Sequence, residues 1–148
     1  MTHSHEFTQA VVLGAGLGTR LRPMTHHLPK PGVPLAHVPV AAHTIAHLLS
    51  AGVRDICVNT HYLAEALEAT LPHHVPRGLT LRFSREDRLL GTGGGIRAAW
   101  ARLDPSRPLL VMNGDILTAI DFRDLVRWHG SDDHAATVCA RAHRVEVP

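Results

Sequence analysis

Short continuous apolar runs take turns along this chain with stretches whose apolar positions recur every three or four residues. The runs Ala10-Val11-Val12-Leu13, Ile56-Cys57-Val58 and Leu109-Leu110-Val111-Met112 have the length and branching of buried strands, and the last is expected to be fully buried. Residues 79–83 alternate and predict a further strand between them, and residues 135–140 predict a fifth. Helical spacing fills the gaps. Ala41, Ile45, Leu48 and Leu49 mark one side of a helix over 41–50, closed by Gly52. Leu63, Leu67 and Leu71 mark a second helix, ended by Pro72. A third opens at Thr92 with the stripe Ile96, Ala99, Trp100 and Leu103, and Asp121 caps a fourth carrying Phe122, Leu125 and Val126. Such βαβα alternation predicts an α/β fold: a three-layer, Rossmann-like, mainly parallel sheet with helices on both faces.

At 148 residues the chain supports one modest domain spanning 1–148, and no linker, repeat or low-complexity segment divides it. A formal net charge of +2 with histidines neutral is too small to argue for nucleic acid, and no basic run with interleaved aromatics appears. No apolar stretch is long enough to suggest a membrane span. Cys57 and Cys139 each sit in an apolar run, so buried free thiols and a reducing cytoplasm are expected. Thirteen histidines invite a metal reading. His43 and His47 have helical i, i+4 spacing, but no glutamate lies between them and no third ligand can be assigned. The pair is expected to face water, and zinc is not expected.

The chemistry concentrates where the first strand ends. Leu13-Gly14-Ala15-Gly16-Leu17-Gly18-Thr19-Arg20-Leu21-Arg22-Pro23 has three alternating glycines, which let backbone N–H groups approach a phosphate chain. Arg20 follows, then Lys30 between Pro29 and Pro31. Lys30 is the only lysine in a chain whose other cations are arginine, which hints at a task for a compact ammonium. A dinucleotide fingerprint would need glycine or alanine where Thr19 stands, and then a helix; Pro23, Pro29, Pro31 and Pro34 forbid one. The strand ending near Val58 and Asn59 also lacks an acidic residue for a ribose. No Gly-Lys-Ser/Thr ending makes a P-loop. Ligands of such sheets bind beyond the carboxyl ends of the strands, and two further marked segments fall there. Glu86 to Gly95, with glycines at 91, 93, 94 and 95, follows the third strand, and Asn113-Gly114-Asp115 follows the fourth. Asp115 suits a hard cation such as Mg²⁺; taken singly, it also reads as an ordinary turn aspartate, and the glycines as a flexible turn.

Taken together, these residues resemble the sugar-1-phosphate nucleotidylyltransferases. The glycine loop, Thr19-Arg20-Leu21, Pro23, Thr25 and Pro29-Lys30-Pro31 are similar to that family's signature. Glu86 with Leu90-Gly91-Thr92-Gly93-Gly94-Gly95-Ile96 resembles its second nucleotide-contacting segment, and Asn113-Gly114-Asp115 its Gly-Asp metal motif. The Gly-Thr-Gly-Gly-Gly form looks closest to the branch of mannose-1-phosphate and heptose-1-phosphate guanylyltransferases and N-acetylmuramate-1-phosphate uridylyltransferases. The resemblance implies the nucleotide-diphospho-sugar transferase fold and transfer of a nucleoside monophosphate from an NTP to a sugar 1-phosphate. GTP with mannose 1-phosphate comes first, and UTP with N-acetylmuramate 1-phosphate next.

By the same resemblance, Leu13, Gly14, Ala15, Gly16, Gly18 and Thr19 wrap the nucleotide and its phosphates. Glu86, Gly91, Thr92, Gly93 and Gly94 lie near base and ribose, with Asn113 and Gly114 beside them. Arg20 stabilises the departing pyrophosphate, Lys30 the α-phosphate, and Asp115 holds Mg²⁺. The family implies an NTP and a sugar 1-phosphate as partners and allows a homo-oligomer. Its members run well past two hundred residues, and the sugar-contacting residues and a second metal aspartate lie beyond the span seen here. The chain is therefore expected to be the nucleotide-binding part of such an enzyme. The alternative is a nucleotide-binding or regulatory module without the sugar site.

Overall fold

The computed structural model describes residues 8–131 and 134–140. Strand β1 (Gln9–Leu13) lies between β4 (Asp55–Thr60) and β6 (Leu110–Asn113), with β5 (Thr80–Arg85) outside β4, in the order β5-β4-β1-β6. Every pairing in this sheet is parallel, with Gln9 opposite Asp55, Ala10 opposite Leu110 and Asp55 opposite Thr80. Parallel neighbours need crossovers, and helices supply them: α1 (Val40–Ser50), α2 (Ala64–Thr70), α3 (Gly91–Trp100), and then α4 (Phe122–His129) after β6. Before α1, the prolines turn the chain through three short 3-10 turns and a small antiparallel hairpin of β2 (Pro34–Leu35) and β3 (Val38–Pro39).

The period-two alternation of β1 and β4 decides which helix covers which face. Ala10, Val12, Ile56 and Val58 pack with Ile45 and Leu48 of α1, Leu67 of α2 and Phe122 of α4. Val11 and Cys57 point the other way, onto Ala99 of α3 and Leu103. The three layers read from the sequence are present.

Four local expectations are corrected. The strand around 109–112 is not fully buried: β6 has a sheet neighbour on one side only among the described residues, and Val111 is 42% exposed. An apolar run does not distinguish an edge from a centre. Residues 135–140 pair with neither outer edge of the sheet and form no strand, and Cys139 is exposed rather than buried. Along α3 the buried line runs through Gly95 and Ala99, and on to Leu103 just past its end, rather than through Trp100.

 Gly95, Ala99 and Leu103 are buried there, whereas Trp100 is 39% exposed, because the helix turns its glycine toward β4. His43 and His47 do not simply face water. Their Nε2 atoms lie 3.0 Å from the Leu35 carbonyl and 2.8 Å from the Ile120 carbonyl, tying the hairpin and the segment after β6 to α1.

The two cysteines therefore differ sharply. Burial pushes the Cys57 thiol up to about 11, so it carries almost no thiolate at neutral pH. Titration of the native protein with a thiol-reactive disulfide is expected to modify Cys139 rapidly and Cys57 only after denaturation. A Cys139→Ser variant that still reacts rapidly would contradict this. Among the described residues no helix is long and apolar enough to cross a membrane.

Candidate functional site

Beyond the carboxyl ends of the strands lies a cavity of about 270 Å³. The end of β1 and its loop contribute Leu13, Gly14, Ala15 and Gly16; the turn Lys30–Gly32 contributes Lys30 and Pro31. Asn59 comes from β4, Glu86 and Leu89 from the loop after β5, Gly91 and Thr92 from the start of α3, and Asn113 and Asp115 from the end of β6. The three segments singled out in the sequence thus meet because the parallel sheet ends them all on one side.

The glycine loop is held in a fixed shape. Gly18 has φ +63°, a left-handed conformation that suits glycine, and its carbonyl accepts a 2.8 Å hydrogen bond from Thr25 Oγ1. Gly14 N donates to Asn59 Oδ1 at 2.7 Å, Asn59 Nδ2 donates to Glu86 Oε1 at 2.8 Å, and Leu90 N donates to Glu86 Oε2 at 2.9 Å. Glu86 is anchored at its backbone too, where its N–H donates to the Thr60 carbonyl at 2.8 Å and its carbonyl accepts from His61 Nδ1 at 2.8 Å. Asn59 and Glu86 are both buried.

Electrostatically the cavity offers two features to an anion. Helix α3 starts at its wall with no side-chain cap, leaving first-turn N–H groups and the positive end of the helix dipole there. Opposite, Lys30 and Asp115 form an ion pair. Both side chains are only partly exposed, so the ammonium and the carboxylate sit at the mouth rather than in bulk water. Gly114 N donates to the Leu13 carbonyl at 2.8 Å, which fixes the approach of the Asp115 segment to β1. The described residues contain no cluster of three or more His, Cys, Asp or Glu suited to a metal, so a cation at Asp115 would draw its other ligands from water or a bound phosphate.

Of the residues singled out from the sequence, Leu13, Gly14, Ala15, Gly16, Lys30, Glu86, Gly91, Thr92, Asn113 and Asp115 line the cavity. Gly18, Thr19, Arg20, Gly93, Gly94 and Gly114 do not. Arg20 is exposed on the turn Thr19–Leu21 beside it. Pro31, Asn59 and Leu89, to which the sequence assigned no binding role, line it as well. The available signal for Asn59 was an amide directly after the apolar run Ile56-Cys57-Val58, near the carboxyl end of β4.

The profile of the nucleotidyl transferase family matches residues 9–148. The chain is 36% identical over 143 residues to a mannose-1-phosphate guanylyltransferase catalytic subunit beta of Drosophila pseudoobscura pseudoobscura, covering 95% of this chain and 38% of that one. It is 37% identical over 123 residues to a mannose-1-phosphate guanylyltransferase of Mycobacterium tuberculosis, covering 83% of this chain and 34% of that one. The chain thus spans well under half the length of these relatives. Among solved structures, HddC from Yersinia pseudotuberculosis complexed with GMP-PN superposes with a TM-score of 0.73 at 29% identity, over 82% of this chain and 54% of that one. A UDP-glucose pyrophosphorylase complexed with UDP-glucose, at 17% identity and a TM-score of 0.67, shares the fold, over 84% of this chain and 54% of that one.

Proposed function

The chain belongs to the nucleotidyl transferase family, and from that membership we propose that residues 1–148 form the nucleotide-binding part of a sugar-1-phosphate nucleotidylyltransferase. The observation that carries this reading is the meeting of the glycine loop, the uncapped start of α3 and the Lys30–Asp115 pair on one cavity. GTP and mannose 1-phosphate are the first choice of substrates, supported by the names of the relatives. The unpaired thiols of Cys57 and Cys139 support a reducing, cytoplasmic setting.

In the proposed reaction a phosphate oxygen of the sugar 1-phosphate attacks the α-phosphorus of the NTP, and the bond to pyrophosphate breaks. The chain's contribution is alignment and charge neutralisation rather than covalent chemistry. The loop from Gly14 to Gly18 and the first turn of α3 grip the nucleotide through backbone N–H groups. Lys30 supplies a point charge to the α-phosphate, and Arg20, exposed on the adjoining turn Thr19–Leu21, reaches toward pyrophosphate. Asp115 fits Mg²⁺, which is commonly bound through one or two carboxylates and the substrate's phosphates. Bound there, Mg²⁺ would neutralise charge on the triphosphate.

A pyrophosphate-release assay with Mg²⁺ tests the proposal, crossing the four NTPs and dTTP with mannose, glucose and N-acetylmuramate 1-phosphates. Release is expected with one pair, and with GTP and mannose 1-phosphate first. Silence across the panel with NTP binding retained would favour a nucleotide-binding module over a transferase for this chain. Absence of NTP binding would overturn the reading.

A further inference from the structure

We propose that Asn59 is a positioning residue, which locks the loop after β1 to the loop before α3 through Glu86 and so sets the spacing of the cavity's two glycine-rich walls. The inference deepens the nucleotide-site reading and rests on it. Neither atom of the buried Asn59 amide is spare: Oδ1 accepts from Gly14 N at 2.7 Å and Nδ2 donates to Glu86 Oε1 at 2.8 Å. The orientation of the amide follows from its partners. Rotating it by half a turn would set its NH₂ against the Gly14 N–H and its oxygen against a carboxylate. Glu86 carries the connection onward, because its second oxygen accepts from Leu90 N at 2.9 Å.

Each end of this relay adjoins the cavity wall. Gly14 is followed there by Ala15 and Gly16, and Leu90 by Gly91 and Thr92. Two bonds of the relay join positions 45 and 27 residues apart in sequence, which no local turn can replace, and the third closes the loop from Glu86 to Leu90. It also lies in a buried setting, where a broken hydrogen bond leaves a donor or a carboxylate unpartnered. A nucleotide gripped between the walls depends on their separation, and that separation depends on the Asn59 amide.

The polarity of the relay makes a specific test available. Asn59→Asp alone sets carboxylate against carboxylate. Glu86→Gln alone forces one donor–donor contact, with either Asn59 Nδ2 or Leu90 N. Combining them inverts the central bond: the new carboxylate accepts from Gly14 N and from the new amide nitrogen, whose oxygen partner accepts from Leu90 N. All three hydrogen bonds and the single negative charge are kept.

Two quantities would be measured on the full chain: amide hydrogen exchange at Gly14 and Leu90 by NMR, and affinity for Mg²⁺ with each NTP by calorimetry. Each single substitution is expected to speed exchange at both amides and to weaken NTP binding by on the order of tenfold or more. The double variant is expected to recover both to within about threefold of wild type, a non-additivity that independent sites do not give. Should a single variant fail to fold, a folded double variant with wild-type exchange carries the same support. Exchange that changes at only one amide, or a double variant as impaired as the two singles summed, would overturn the proposal. So would recovery of exchange without affinity, since the ligand would then depend on the Glu86 charge directly. If the wild type binds no NTP yet exchange is lost and recovered as described, the relay stands and the nucleotide reading fails. If NTP binding is intact in both singles, the nucleotide reading stands and the positioning role fails.

Discussion

Lys30→Ala is expected to lower turnover by roughly 10²–10³-fold, the scale found when a single charge-stabilising donor is removed from an active site. The melting temperature should move little. Lys30 sits in a 3-10 turn outside the core, and its ion pair with Asp115 is partly exposed on both sides. Pairs of that kind contribute about 0–1 kcal/mol, which corresponds to a shift of roughly 3 °C or less in a chain of this size. Pyrophosphate release and a thermal melt on the same preparation separate the two effects. Lys30→Arg should restore little activity, because a planar guanidinium does not reproduce a compact ammonium held between Pro29 and Pro31. A wild-type rate in Lys30→Ala would remove Lys30 from the proposed machinery, and a collapsed melt would mean that the turn supports the fold.

The largest expected effect on stability comes from Gly95→Ala. In an ordinary helix interior this change is favourable by about 1 kcal/mol. Here a methyl group would stand 2.5 Å from Asn59 Nδ2 and 2.8 Å from Glu86 Oε1, both in a buried relay. Either α3 lifts off β4 or the amide and carboxylate part. Overpacking costs about 1–3 kcal/mol and an unsatisfied buried polar group about 1–3 more, so the net loss is expected to be about 3 kcal/mol. In a chain of this length that lowers the melting temperature by roughly 10 °C. Denaturant unfolding of Gly95→Ala, alone and with Asn59→Ser, tests the mechanism. The smaller serine makes room, so the second substitution should add much less than it costs on its own. Simple additivity would show that the glycine is needed for some other reason.

These two positions illustrate what could be read before the fold was known. Lys30 stood out by residue type, Asp115 by its place after an apolar run, and the glycine loop by its spacing, and all three reach one cavity because a parallel sheet collects its loops at one end. The layers were equally legible, since Val11 and Cys57 alternate with Ala10, Val12, Ile56 and Val58 on opposite faces. What was not legible depended on partners far away in sequence. Val111 is exposed because β6 has one neighbour among the described residues, and Cys139 because residues 134–140 pair with no strand. Local pattern carries no information about either. Asn59 has no role legible in the sequence for the same reason: an asparagine near the end of a strand becomes informative only once Gly14 and Glu86 stand on either side of it.

The position of β1 in the sheet has a consequence for synthesis. Its residues leave the ribosome before those of the other three strands, yet it is flanked on both sides, opposite β4 from Gln9↔Asp55 and opposite β6 from Ala10↔Leu110. Gln9 Nε2 donates to the carbonyls of Asp104 and Arg107, 95 and 98 residues downstream. No pairing in this sheet is a hairpin that could form alone, and such non-local closure is slow. The emerging chain therefore carries an apolar β1 with one backbone edge open until residues 110–113 have been made, a period in which a holding chaperone would be useful. Only when Asn113 and Asp115 arrive beside Leu13 do the walls of the cavity come together.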